Sequence, residues 1–496
     1  MRALASDTRM LPLHALALLI LASTASALVT GLTLPGGFAV DTYYAGRVPH
    51  VRSLALSGAT PQARIFALVD TNADGYAEDL YVVLDGLNAS SGVAWHEGSL
   101  YISELTSIWR LDAVDEWVLA NPNVTYPRAR ATLLTDALPD TALYASRYLA
   151  VSPSGQLHLS IGTPCDSCFA EPYQKNSSTP VFQYAAIYKF NLTDFGSPML
   201  VASGVRNSVG FDWHPETGEL WFTNNGRTGM VSNWYSQIAP DDTLSRVPTE
   251  GGFFGFPYCY QGAAGGAADA PCARLAGVGA AIPDPYLNPG ERNMSCSPGL
   301  DWLEAPPRRA FWQHLQSIVK YVVGVLAKDT KVTEGSGPLT QIYPAAQALG
   351  PHLISLGMTF YRRNASAAYA FPAAYDGAIF IAQRGSNVRD ELAGYRVITV
   401  SLNDKAEPQG VLPFLSGLLV GDVGEAECPD VPRSNTSAVR GRPVDTLQLP
   451  DGSLLVSDDT GNKVYKIMYA GRVPAGDGQV SSGPVSSEDD RVSVFV

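Results

Sequence analysis

Four arginines stand out in a chain otherwise poor in charge. Arg206-Asn207, Arg384-Gly385 and Arg440-Gly-Arg442 each flank a short apolar run. A guanidinium presents a rigid fork of donors that matches a carboxylate in bidentate fashion. A single arginine usually ends in a surface ion pair worth ~0–1 kcal/mol. Recurrence at equivalent ends of repeated strands points instead to a ring of guanidinium groups able to grip a polyanion.

A second group of residues suits a hard cation. Asp70, Asn72, Asp74, Tyr76 and Glu78 place oxygens on alternate residues, with Gly75 for the sharp turn. Tyr76 offers its carbonyl and Glu78 closes the ring. Calcium takes six to eight such oxygens. The twelfth position is Tyr81 rather than Glu, so the loop is not an EF-hand. The competing reading is a solvated turn rich in Asx residues.

The elements that must position these residues recur along the chain. Alternating apolar residues, a turn glycine and a second apolar run make up Ser91–Glu104, Tyr148–Gly162, Ser208–Asn225, Leu356–Gly385 and Pro443–Gly461, with a looser copy at Val51–Val69. The turn glycines are Gly58, Gly98, Gly155, Gly218, Gly377 and Gly452. Each phrase reads as a hairpin. Irregular repeats of this size predict an all-β fold, a six-bladed β-propeller over 35–470. A tandem of β-sandwiches is the competing arrangement. Between Ser208–Asn225 and Leu356–Gly385, Phe311, Trp312, Leu315, Ile318, Val319, Val322, Val323 and Leu326 fall at helical spacing inside an insertion of about 297–345. The stretch 471–496, rich in Gly, Ser and Asp, reads as a flexible tail.

Composition narrows the function classes. The 496 residues carry a formal charge of −13, which argues against nucleic acid as a partner. Residues 1–27 follow the signal-peptide pattern: Arg2 and Arg9, the apolar run Leu11 to Ala22, then Ala25-Ser26-Ala27. The run is too short to cross ~30 Å of hydrocarbon comfortably, so no stable membrane span is expected. Sequons at Asn88, Asn123, Asn176, Asn191, Asn293, Asn364 and Asn435 suit a secreted glycoprotein. The six cysteines (Cys165, Cys168, Cys259, Cys272, Cys296, Cys428) allow three disulfides in that compartment. Their pairing stays open, although Cys165/Cys168 and Cys259/Cys272 are the local choices. The absence of a second C-x-x-C makes zinc a poor fit.

Over most of 35–470, outside the insertion, the chain resembles the soluble glucose/sorbosone dehydrogenase family, propellers that bind pyrroloquinoline quinone. The most specific phrases are DTNADGYAEDLYVVLDGLN, VRNSVGFDWHPETGELWFTNNGR, FFGFPYC, LGMTFY and GRPVDTLQLPDGSLLVSDDTG. The resemblance implies a flat cofactor with three carboxylates over the funnel, held by Arg206, Asn207, Arg384, Arg440 and Arg442. It also implies a calcium ion at the quinone, bound through the carbonyls of Gly226 and Arg227. The expected activity is oxidation of an aldose or pyranose, with electrons passing to an external acceptor.

The catalytic part departs from that pattern. The reaction needs a base for the sugar's anomeric hydroxyl proton. Where the family has a His, this chain has Tyr144, beside Leu143. A phenol with a pKa near ~10 is a poor base at neutral pH. Ser91 replaces a second polar position, and Asp242-Thr243-Leu244-Ser245 stands for a longer acidic phrase. His352, in Leu-Gly-Pro-His-Leu, matches a family His near the site and is the candidate substitute base. Its bland alternative is a satisfied loop histidine. Two functions follow: a quinone-dependent sugar dehydrogenase, or an inactive propeller whose funnel binds a carbohydrate or protein ligand.

Overall fold

The computed structural model describes residues 31–48, 63–140, 143–228, 239–261, 281–283, 342–420, 431–432, 438–471 and 493–495. The signal-peptide stretch 1–27, the turn at Gly58, the helical spacing at 311–326 and most of the expected tail lie outside them.

The chain is all-β and forms a β-propeller of five blades, not the expected six. Each clear sequence phrase supplies the first two strands of one blade. The first blade runs Gly92–His96, Ser99–Ser103, Ile108–Asp112 and Thr132–Thr135. The second runs Leu149–Val151, Gln156–Ile161, Ala186–Asn191 and Asp194–Ser203, with Gly252–Phe253 added in parallel at its edge. The third comprises Phe211–Trp213, Leu220–Asn224, Asp241–Arg246 and Gln347–Pro351. The fourth comprises Ser355–Phe360, Ile379–Gln383, Arg396–Leu402 and Pro408–Leu415. The fifth comprises Pro443–Gln448, Leu454–Asp458 and Lys463–Tyr469, and takes its last strand, Phe38–Thr42, from the start of the chain. That pairing joins the two ends of the propeller and removes an open edge.

The sixth repeat fails for a physical reason. The described part of the looser copy is Ala63–Val69. It pairs forward with Asp79–Leu87 across the Asp70–Glu78 loop, and with Ser493–Phe495 from within the expected tail. Both faces of this strand are covered. Ile65, Ala67 and Val69 pack with Leu100, Ile102 and Leu111 of the first blade, while Phe66 and Leu68 pack with Leu449, Leu455 and Val464 of the fifth. A continuous apolar run is what a strand buried on both faces requires. The three-stranded sheet therefore wedges between the last and first blades.

First strands of neighbouring blades lie against one another, the first against the second, the third against the fourth and the fourth against the fifth. Two glycines permit the approach. A Cβ at Gly92 would strike the backbone of Arg147 and Leu149, and one at Gly357 would strike Asp445. Buried polar groups tie the blades at the same level. Thr223 Oγ1 donates to Leu356 O (2.6 Å), and Asn225 Nδ2 donates to Ser355 O (2.8 Å). Ser91, the altered polar position, accepts Arg147 N–H at 2.7 Å and is one of these ties.

Candidate functional site

Antiparallel pairing decides where the arginines go. In a hairpin, the start of the first strand and the end of the second share one end of the sheet. Arg206 and Arg442 precede first strands, whereas Arg227 and Arg384 follow second strands. All four thus lie at the same end of their blades.

Arg206 is 2% exposed, and its guanidinium is fully engaged. Nη1 donates to Gly226 O at 2.8 Å and Nε to Asp166 O at 3.1 Å. Nη2 pairs with the Asp166 carboxylate and meets the Tyr144 hydroxyl. The Tyr144 ring also lies beneath the guanidinium, 4.4 Å from centroid to Cζ. Asp166 Oδ1 further accepts Thr228 Oγ1 (2.7 Å), Thr228 N (3.1 Å) and Tyr144 Oη (3.2 Å), while Arg227 Nε stands 3.6 Å from Oδ2. Burial pushes the Asp166 carboxyl up, but Arg206 and the Thr228 donors outweigh it and hold it below the usual range. Asp166 sits inside the Cys165–Cys168 disulfide. Cys259 is also disulfide-bonded; Cys272, Cys296 and Cys428 lie outside the described residues.

The opposite group gathers around Tyr395. Arg442 Nη2 donates to Tyr395 Oη (3.2 Å), with its guanidinium 5.0 Å over the ring. Arg384 Nε pairs with Asp459 Oδ2 at 2.7 Å. Burial, with Arg384 nearby, lowers the Arg442 pKa. Arg440 does not join the buried set. It is exposed, with Nη1 3.4 Å from Gly31 O. This corrects the expected four-arginine ring: in Arg-Gly-Arg one side chain turns in and the other out.

The loop His352–Ile354 bridges the two groups. Arg384 N donates to Ile354 O (3.0 Å) and Gly385 N to Leu353 O (2.9 Å). His352 and Ile354 hold φ of 56° and 57°, a costly conformation, above all for a β-branched residue. The His352 ring is buried, with Nε2 3.0 Å from Ala239 O. A carbonyl only accepts, so Nε2 carries the proton and Nδ1 the lone pair. Nδ1 has no hydrogen-bond partner. Burial, then the charges of Arg389 and Arg206, push the imidazole pKa down to about 4.

Tyr144 does not meet the requirements of a base. Burial raises its phenol pKa, with Arg206 opposing and Asp166 adding to the rise. It remains a donor to Asp166. Asn207 Nδ2 donates to Asn225 Oδ1 at 3.1 Å, and its own Oδ1 is buried without a hydrogen-bond partner. Asp242 accepts Gly226 N–H (3.0 Å) and Ser355 N–H (2.8 Å), and burial lifts it to about 6. It therefore fixes the Gly226-Arg227 backbone. The Gly226 carbonyl, expected to face calcium, accepts from Arg206.

Asp166, Thr228, Tyr395 and Asp459 were not expected from the sequence. A carboxylate enclosed in a two-residue disulfide loop is a readable signal for Asp166. The contacts of the other three cross between blades. The Asp70–Glu78 loop lies apart from this group, between the wedge strand Ala63–Val69 and the fifth blade.

No helix among the described residues is long and apolar enough to cross a membrane. No family model matches the chain. A Borreliella burgdorferi protein described as uncharacterized is 25% identical over 460 residues, spanning 90% of this chain and 93% of its own. Among solved structures, a Trichoderma reesei protein of Carbohydrate-Active Enzymes Family AA12 has a TM-score of 0.56 at 15% identity, covering 88% of this chain and 98% of its own. The holo form of the pyranose dehydrogenase PQQ domain from Coprinopsis cinerea has a TM-score of 0.55 at 16% identity, covering 88% and 97%. At these identities the likeness establishes the fold: the chain is a β-propeller similar in architecture to sugar-dehydrogenase propellers.

Proposed function

We propose that the chain is a secreted quinone-dependent sugar dehydrogenase, oxidising an aldose or pyranose and passing electrons to an external acceptor. The observation that carries this reading is the gathering of four guanidinium groups at one end of the propeller. Asp166 faces both Arg206 and Arg227, and Asp459 lies beside Arg384 with Arg442 next to it. The neighbouring Asp458 is taken up by the N–H groups of Arg442 (2.7 Å) and Gly461 (2.7 Å) and by Tyr465 Oη (3.0 Å). The guanidinium groups of Arg206, Arg227, Arg384 and Arg442 thus gather at one end of the blades, which suits a polycarboxylate.

In this reading Arg206, Asn207, Arg384 and Arg442 hold pyrroloquinoline quinone, with Arg206 giving up part of its contact to Asp166 and Gly226 O, and the exposed Arg440 stands at the rim. When bound, such a group supplies a hydride acceptor, which a cation on the Gly226 and Arg227 carbonyls would polarise. A PQQ domain and a calcium structure among the similar propellers support the pair. In this reading His352 receives the hydroxyl proton on Nδ1, its tautomer set by Ala239 O. An anion held by Arg206 raises the His352 pKa toward neutrality, since it favours the imidazolium. Tyr144 orients Asp166 and does not take the proton.

A second reading is favoured by the same arginines. Arg206 already has Asp166 and Gly226 O, and His352 Nδ1 is covered. A propeller that has lost its base would bind a carbohydrate or protein ligand in the funnel without turnover. The deciding experiment is titration of the purified chain with quinone and calcium, followed by dye reduction over an aldose panel. Bound quinone and sugar-dependent reduction support the enzyme. Bound quinone without reduction on any sugar favours the second reading, and no quinone binding removes the first.

A further inference from the structure

We propose that the Asp70–Glu78 loop binds a calcium ion that clamps the wedge sheet to the fifth blade, where Phe38–Thr42 joins the last repeat. The proposal is independent of the funnel.

Three carboxylates converge here. Ligand oxygens of Asp70, Asp74 and Glu78 all lie within 4.8 Å of one another. Acidic turns are common on surfaces, but Asp70 is not a surface residue. It is 3% exposed, and its Oδ1 is buried without a hydrogen-bond partner. An ionised oxygen in that state costs more than any hydrogen bond nearby returns, unless a cation meets it. Its other oxygen accepts Gly75 N–H at 2.7 Å, which fixes the carboxylate in place. Asn72 Nδ2 bridges Asp74 Oδ2 (3.3 Å) and Glu78 Oε1 (2.9 Å), so the remaining oxygens are already drawn around one point. A donor set of three carboxylates suits calcium and not zinc.

The nearest lysine serves another purpose. Lys466, in the third strand of the fifth blade, is fully buried. Its Nζ donates to Gly75 O (2.5 Å) and to Asp451 Oδ2 (2.7 Å). Tyr76 Oη reaches Met468 Sδ at 3.3 Å, and Ala77 N donates to Tyr43 O at 2.9 Å. The loop backbone is thus seated on the strand that pairs with Phe38–Thr42. A cation that fixes the loop fixes this seat.

The test uses the full chain and calcium itself. Calcium is expected to raise the melting temperature by about 2–4 °C at saturation. It is also expected to slow amide exchange in Phe38–Thr42 and Lys463–Tyr469 more than in the third blade. Asp74→Asn, at an exposed position, should melt at the wild-type temperature in chelator and lose both responses. Asp70→Asn should lose them as well. The proposal is overturned by a chain that shows no melting shift in millimolar calcium, by an Asp74→Asn variant that keeps the full shift, or by protection confined to other blades.

Discussion

Arg206 and Asp166 form a largely buried ion pair at the mouth of the propeller, the acid supplied by a disulfide loop of the second blade and the base by the entry to the third. Removing one partner of such a pair leaves an uncompensated charge, and breaking a fully buried one costs about 3–5 kcal/mol. Asp166 keeps some solvent contact, so Asp166→Ala is expected to lower the unfolding free energy in urea by about 2–3 kcal/mol. Asp166→Asn, which retains an acceptor for Thr228, should cost less. Equal stability of Asp166→Ala and wild type would show that Arg206 is not dependent on its partner.

The roles of Tyr144 and His352 separate by substitution. If His352 Nδ1 takes the proton, His352→Gln lowers sugar-dependent dye reduction by about 10²-fold or more, the range for loss of a general base. Tyr144→Phe should stay within about tenfold, because it removes a hydrogen bond and no proton acceptor. Steady-state rates at saturating quinone would show it. The reverse order of the two effects would return the base to Tyr144.

Stability should fall on mild acidification. His352 and His158 are both buried, and burial is the main cause that depresses each to about 4. The unfolded chain binds protons on these groups near pH ~6.5, the native chain only near 4. Their contribution is therefore complete above pH ~6.5 and is lost as the pH falls toward 4. Asp242, raised to about 6 by burial, works the other way: its contribution is present below its unfolded value and fades as the pH rises through 6. Asp70, Asp115 and Asp458 are raised as Asp242 is, but Glu104 and Asp166 are lowered and add to the two histidines, so the balance is a loss toward acid. Melting temperatures between pH 7 and 4.5 should decline, and His158→Asn should flatten the decline. An unchanged slope in that variant would remove His158 from the account.

Blade contact depends on a missing side chain. A Cβ at Gly357 would overlap Asp445, whose backbone and carboxylate cannot both retreat. Gly357→Ala is expected to destabilise by about 1–3 kcal/mol, the cost of overpacking a close interface. Chemical denaturation would measure it. Gly98→Ala is the control for a general glycine effect, since its Cβ would meet nothing but its φ of 78° still carries strain.

The local level was legible in the chain itself. Turn glycines at Gly98, Gly155, Gly218, Gly377 and Gly452 all take positive φ, and each closes the first hairpin of a blade. Alternation and turn chemistry are short-range properties, so these hairpins and the side on which Arg206, Arg384 and Arg442 emerge could be read directly. Blade number could not. Ala63–Val69 looks like a repeat, but whether it folds back or pairs forward depends on faces offered by the first and fifth blades, far away in sequence. The same limit hid Asp459 as a partner of Arg384, the choice of Arg206 as the partner of Asp166, and the outward turn of Arg440. Charge pairing is decided by distance in space, and only the packing of neighbouring blades brings residues 40 and 75 positions apart into hydrogen-bond contact.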